Sequence, residues 1–216
     1  SEKNQIASER PTVIFQDAQK NIWIGTEGDG LYKTTVDEDY NLIDVELFEY
    51  QETDESSVSH NIINIIFEDK KGNLWIGTEG GGLNRFDSSD SSFERFTKAD
   101  GFSSDLIYAI AEDKSGNLWL STNNGLCQFD PVTNAIRIFD ETDGAQSSDF
   151  IKGAAKSLDN GGMLFGGIKG FNYFKPSSFT VNTNTPNIYI TSLVFETEPE
   201  KSVHFGLIQE LNKQGK

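Results

Sequence analysis

Short apolar runs separated by polar, glycine-rich turns cover most of this chain, and their lengths suit strands rather than helices. The run Asn61–Phe67 is almost continuously β-branched or aromatic, Leu106–Ala111 is similar, and Thr12–Phe15 is a shorter version. A strand apolar on both faces is expected to be covered on both. After Asn61–Phe67 comes a polar turn, Glu68–Asn73, whose Gly72 and Asn73 suit a tight reversal. Leu74–Thr78 then reads as a second strand, Glu79–Gly82 as a turn, Leu83–Asp87 as a third strand and Phe93–Thr97 as an outer, more charged fourth. Lys98–Asp105 crosses to the next inner strand.

The succession occurs four times. Gly72-Asn73-Leu74-Trp75-Ile76-Gly77-Thr78 is matched by Asn21-Ile22-Trp23-Ile24-Gly25-Thr26 and by Gly116-Asn117-Leu118-Trp119-Leu120-Ser121-Thr122. A more distant copy is Gly162-Met163-Leu164-Phe165-Gly166-Gly167. Trp75 follows Trp23 by 52 residues, Trp119 follows Trp75 by 44, and Leu164 follows Trp119 by 45. Four short strands at a period of roughly 40–50 residues predict β-propeller blades. The expected fold is all-β: four-stranded antiparallel meanders in a partial ring, followed by the first strand or strands of a truncated β-sandwich.

The predicted organisation is an N-terminal extension at 1–11, blades at about 12–58, 59–104, 105–148 and 149–180, and a linker with the start of a sandwich at 181–216. The extra length of the first copy is assigned to its acidic stretch Val36–Asn41, as a longer loop between strands three and four. The fourth copy, with Leu164 where the tryptophan stands elsewhere, reads as a terminal blade without an outer strand. Ser177–Pro186 reads as a polar linker. Asn187–Phe195 reads as a new strand for which the rest of the chain offers no partner, as though a second domain were entered and cut short.

Charge narrows the partners. Asp and Glu outnumber Lys and Arg by 34 to 18, a net charge of −16, which disfavours nucleic acid and anionic membrane surfaces. The single cysteine, Cys127, leaves no disulfide within the chain, and two distant histidines, His60 and His204, supply too few ligands for a zinc site. No apolar run approaches the roughly 18 residues of a membrane span, and the first residues do not read as a signal peptide. Neither a metal nor a cofactor is expected.

The segments Glu68–Thr78 and Glu112–Thr122, with the closing segments Gly82–Asp87 and Gly125–Pro131, resemble the two-component regulator propeller repeat. Pro186–Phe195 is similar to the opening of the Tyr-rich, immunoglobulin-like sandwich that follows such propellers. The resemblance implies the extracytoplasmic, periplasmic sensor part of a large, often hybrid, histidine kinase, in a family whose members often respond to polysaccharide breakdown products. It implies that this chain is not itself an enzyme. The partners it implies are an oligosaccharide or other small extracytoplasmic ligand and the remaining blades of the parent propeller. Four blades left open would expose strand edges and apolar faces, so a homodimer of two arcs is a further expectation. A protein-interaction scaffold is the alternative function, and a propeller glycosidase or lyase a weaker one.

Each candidate site has a structural counterpart. The Asp69-x-x-Gly72-Asn73 and Asp113-x-x-Gly116-Asn117 turns look like calcium-loop fragments or the Asp-box of sialidases, but Asp capping a hairpin turn explains them more simply. Trp23, Trp75 and Trp119 could stack on sugars, yet one residue at a fixed place in each blade reads as packing. Cys127 reads as a small apolar residue of a third strand, and Asp37–Asp39 as a solvated loop. In a four-stranded meander the crossing segments and the turns between strands two and three share one end of the blades. His60, Asn61, Phe102, Asp105, Asn123 and Asn124 lie there and are the predicted ligand-binding residues.

Overall fold

The computed structural model describes residues 10–145 and 150–179, and the strands 192–196 and 202–206. The chain divides into two compact units, 1–179 and 180–216. In the first, β1 (Pro11–Gln16), β2 (Ile22–Thr26), β3 (Leu31–Val36) and β4 (Leu42–Phe48) form one antiparallel meander. β5 (Ile63–Glu68), β6 (Leu74–Thr78), β7 (Leu83–Asp87) and β8 (Ser92–Phe96) form the second. The third comprises β9 (Ile107–Glu112), β10 (Leu118–Thr122), β11 (Gly125–Phe129) and β12 (Ile136–Phe139). A fourth, three-stranded sheet comprises β13 (Phe150–Ser157), β14 (Met163–Gly167) and β15 (Gly170–Phe174). These are propeller blades, each with strands in chain order.

The blades pack face to face through three apolar clusters. Trp23, Leu31 and Val58 meet Ile63, Ile66, Leu74 and Ile76 at the first junction. Trp75, Leu83 and Phe96 meet Ile107, Ile110, Leu120 and Cys127 at the second, and Trp119, Leu126 and Phe139 meet Phe150, Met163 and Phe165 at the third. β6 and β10 are buried along their whole length, and the inner β9 nearly so, whereas the continuous apolar run of β5 keeps Ile65 and Phe67 only half-buried.

Each tryptophan locks two blades. Its indole lies between a phenylalanine of its own outer strand and a phenylalanine of the next blade's third strand. Trp23 sits between Phe48 and Phe86, Trp75 between Phe96 and Phe129, and Trp119 between Phe139 and Phe174, with ring centroids 4.7–6.0 Å apart. Such offset and edge contacts are worth roughly 0.5–1.5 kcal/mol per pair beyond area burial. The packing reading of the tryptophans holds.

The 1–2 turns explain the Asp-x-x-Gly-Asn motif. Asp69 accepts from the Lys71 and Asn73 backbone N–H groups, from Asn73 Nδ2 and, at 3.0 Å, from Trp75 Nε1. Asp17 and Asp113 hold Trp23 and Trp119 in the same way, at 2.8 and 3.0 Å. Burial opposes ionisation of Asp69, but the hydrogen bonds from Asn73, Trp75 and Lys71 prevail and hold its carboxyl below the usual range. The turn aspartate therefore caps the hairpin and also anchors the core indole, a second role the spacing alone did not reveal.

Two expectations are corrected. The acidic stretch lengthens its hairpin mainly through the strands and hardly through the loop: Asp37–Asn41 makes a tight turn, with Asp37 Oδ1 accepting from the Asn41 N–H at 2.8 Å. The first copy is longer in two places: its β3–β4 hairpin, Leu31–Phe48, outruns Leu83–Phe96 of the second blade, and the crossing at 49–62 exceeds that at 97–106. The extra residues are tied to β8, where Arg95 donates to the carbonyls of Asp54 and Ser57 and the Phe93 N–H to that of Ser56. The second correction concerns the C-terminal unit. β16 (Ser192–Glu196) does have a partner, pairing antiparallel with β17 (Ser202–Gly206) from Ser192↔Gly206 to Glu196↔Ser202. The predicted linker beyond Phe179 and the strand's start at 187–191 lie outside the described residues, as does the N-terminal extension up to residue 9.

Candidate functional site

The crossing segments and 2–3 turns do meet at one end of the blades. The carbonyl of Asn61 accepts from Gly28 N and Gly30 N at 3.2 and 2.9 Å, and that of Asp105 from Gly80 N and Gly82 N at 3.1 and 2.7 Å. Each crossing thereby staples the turn of the blade it leaves behind. Gly82 is required here: its φ is +81° and an added Cβ would lie 2.2 Å from the Phe96 carbonyl oxygen.

The same staple occupies several predicted ligand residues. Asn61 Oδ1 accepts from Tyr50 N at 2.7 Å and Asp105 Oδ1 from Lys98 N at 2.7 Å, so both side chains fasten the start of their own crossing. His60 Nδ1 accepts from Ile62 N at 3.0 Å. Phe102 is the clear correction: it is 4% exposed, in the second core cluster, with its ring 5.5 Å from that of Phe129. The chain turns inward at Phe102 because a capped 3-10 turn at Lys98–Asp100 ends in Gly101 with φ +112°. Asn123 and Asn124 are exposed at the third blade's 2–3 turn, and Asn124 Nδ2 reaches the Ser103 carbonyl at 3.5 Å.

The structure adds residues that the repeat pattern did not single out. Lys152 of β13 reaches back to Glu79 of the second blade's turn, Nζ to Oε2 2.6 Å. The Lys152 hydrogen bond, helped by Asn64 and His60, holds the Glu79 carboxyl below the usual carboxylate range. Asn64, 3% exposed, stands where the β5–β6 register shifts and donates Nδ2 to the Ile107 carbonyl at 3.0 Å, while its Oδ1 has no protein partner. An unpaired buried acceptor costs roughly 1–3 kcal/mol, so this oxygen is a natural seat for a donor from water or ligand. Lys152 was missed because the fourth copy matches the others poorly, and only the approach of β13 to β5 brings it near Glu79.

Elsewhere, burial pushes the Cys127 thiol up, as befits a core residue, and Ser103 Oγ lies 3.0 Å from its sulfur. Among the described residues no group of three or more His, Cys, Asp or Glu could hold a metal ion, and no helix is long and apolar enough to cross a membrane.

Fold and loop end together define a β-propeller blade array whose stapled turns frame a small polar cluster. The two-component regulator propeller model matches residues 5–28, 57–80 and 101–124, and each match ends within a 2–3 turn. Three stretches of the chain thus carry the two-component regulator propeller repeat. The chain is similar to Histidine kinase P4 of Formosa agariphila, 27% identical over 89% of this chain and 14% of the relative. Among solved structures it resembles the extracellular domain of the putative hybrid two-component system BT3049 of B. thetaiotaomicron, with 27% identity and a TM-score of 0.74 over 96% of this chain and 27% of that one. The extracellular domain of the putative one-component system BT4673 from the same organism, at 19% identity and TM-score 0.62, shares the fold. The chain thus spans about a seventh of the curated relative and about a quarter of the BT3049 domain.

Proposed function

We propose that this chain is part of the extracytoplasmic sensor region of a hybrid two-component histidine kinase, and that its loop end takes a carbohydrate or polysaccharide breakdown product. The observation that carries the reading is the similarity to the extracellular domain of a putative hybrid two-component system, sustained over nearly the whole chain. The kinase name of the curated relative supports it, as does the repeat family. A carbohydrate suits the chemistry: exposed amides of Asn123 and Asn124, one balanced Glu79–Lys152 pair and the unpaired Asn64 Oδ1 offer donors and acceptors to hydroxyls.

In this reading the chain binds and does not catalyse. It works in the periplasm alongside further blades of its parent, and signalling is a shift between arrangements to which the ligand binds unequally. The test is calorimetric titration of an oligosaccharide panel, paired with autophosphorylation of the full-length parent. An Asn123→Ala, Asn124→Ala double variant is expected to bind about ten-fold more weakly, the worth of one or two neutral hydrogen bonds. Absence of carbohydrate binding, with kinase activity indifferent to the panel, would overturn the reading.

A further inference from the structure

At the opposite end of the blades, the three junctions differ in one residue. The last residue of an inner strand, paired with the first residue of strand two, is Glu68 in the second blade, Glu112 in the third and Ser157 in the fourth. Glu68 Oε2 accepts from the Ala18 N–H at 2.9 Å, and Glu112 Oε2 from the Lys70 N–H at 3.0 Å. In both cases the donor is the amide that follows the turn aspartate of the preceding blade. At the third junction that amide is Lys114. Ser157 is too short to bring an oxygen to it, and donates instead to the Glu112 carbonyl.

In place of the carboxylate lies a cleft of about 360 Å³ lined by Lys70, Glu112, Lys114, Ser157, Asp159 and Gly161 among others. That volume falls within the range of small-ligand sites, roughly 300–1,000 Å³. Lys114 is an exposed lining residue whose stem lies against Gly161, where an added Cβ would come 3.4 Å from its Cε and 3.7 Å from Nζ. Lys70 Nζ donates to the Asp113 carbonyl at 3.1 Å and pairs with Glu112 at 3.7 Å, which offsets the nearest negative charge. The Asp113 carboxylate is turned inward, bound to its own turn and to Trp119. Asp159 lines the cleft as an exposed residue, and its carboxylate can accept from a hydroxyl donor.

We infer that the cleft between the third and fourth blades binds a small hydroxy acid of the uronate type. Its carboxylate accepts from the Lys114 N–H and ammonium, in the position that Glu68 and Glu112 take at the other junctions, and its hydroxyls donate to Asp159. This site is separate from the loop end and does not rest on the signalling reading.

The test is an NMR titration of the full chain with D-glucuronate, following the Lys114 amide, beside titrations with glucose and acetate. Glucuronate is expected to shift Lys114 saturably, glucose not to shift it, and acetate to bind at least about ten-fold more weakly. Ser157→Glu should abolish the shift and raise the melting temperature by restoring the junction; Ser157→Ala should keep the shift. An unmoved Lys114 amide, equal affinity for acetate, or glucuronate binding retained in a folded Ser157→Glu variant would each overturn the inference. Should the Glu variant fail to fold, the Ala variant and the acetate comparison decide it.

Discussion

The turn carboxylate and the indole behave as one unit. In the first three blades Asp17, Asp69 and Asp113 hold Trp23, Trp75 and Trp119. In the fourth, Leu158 occupies the turn position and Leu164 the strand position, so carboxylate and N–H are lost together and neither leaves a buried orphan. Removing one alone should be costly. Asp69→Ala strands the Trp75 N–H and two turn amides and is expected to destabilise the chain by about 2–4 kcal/mol in urea unfolding. The pH dependence follows the sign of the shift. Because the folded Asp69 carboxyl lies below its ordinary value of 3.8, its contribution is full above that value and fades as pH falls through the depressed folded one. Asp69→Asn should therefore narrow the stability gap to wild type under acid conditions relative to neutral pH. The capping role was legible in the Asp-x-x-Gly-Asn spacing; the indole contact was not, because it joins residues that only the closed hairpin brings together.

Strands and turns were largely readable because each has a single local cause. Leu74–Thr78 and Leu83–Asp87 fall where the apolar run and flanking glycines place them. Crossing segments were harder, since a polar sequence gives no sign of which side chain turns inward. Phe102→Ala is expected to cost about 3–5 kcal/mol, as for other large core truncations, whereas Asn123→Ala should stay within about 0.5 kcal/mol; thermal or urea melts separate them. Only the asparagine variant can therefore report on ligand. Close blade packing supplies a third case. A Cβ at Gly77 would lie 2.6 Å from Ile65 Cγ2 and 2.7 Å from Ile107 Cγ2, both stiff β-branched side chains of inner strands. Gly77→Ala should destabilise by about 1–3 kcal/mol through overpacking, measurable in the same melts.

At the scale of the whole propeller unit, two blade faces are left apolar and exposed. Ile14, Val45 and Leu47 stand out on the first blade, and Ile168, Phe171 and Tyr173 on the fourth. The isolated chain should bind a hydrophobic dye and associate with rising concentration, and Leu47→Glu with Phe171→Glu should reduce both, as read by dye fluorescence and sedimentation velocity. Blade identity was legible from the repeat, but the matching of faces was not, because it depends on which alternate residues point each way.

The tryptophan lock gives the array a direction. At every junction one blade contributes an indole and its neighbour a third-strand phenylalanine, so the two sides of a blade are as unlike as a plug and a socket. At the ends the fittings change: Thr34 of the first blade pairs with Ile22 as Phe86 does with Leu74, and Leu164 of the fourth replaces the indole. A contact between unlike faces is heterologous: repeated, it either returns to its starting point or runs on without limit. A neighbour that continued the array would meet each end in one orientation, and would do so without the indole–phenylalanine lock of the internal junctions.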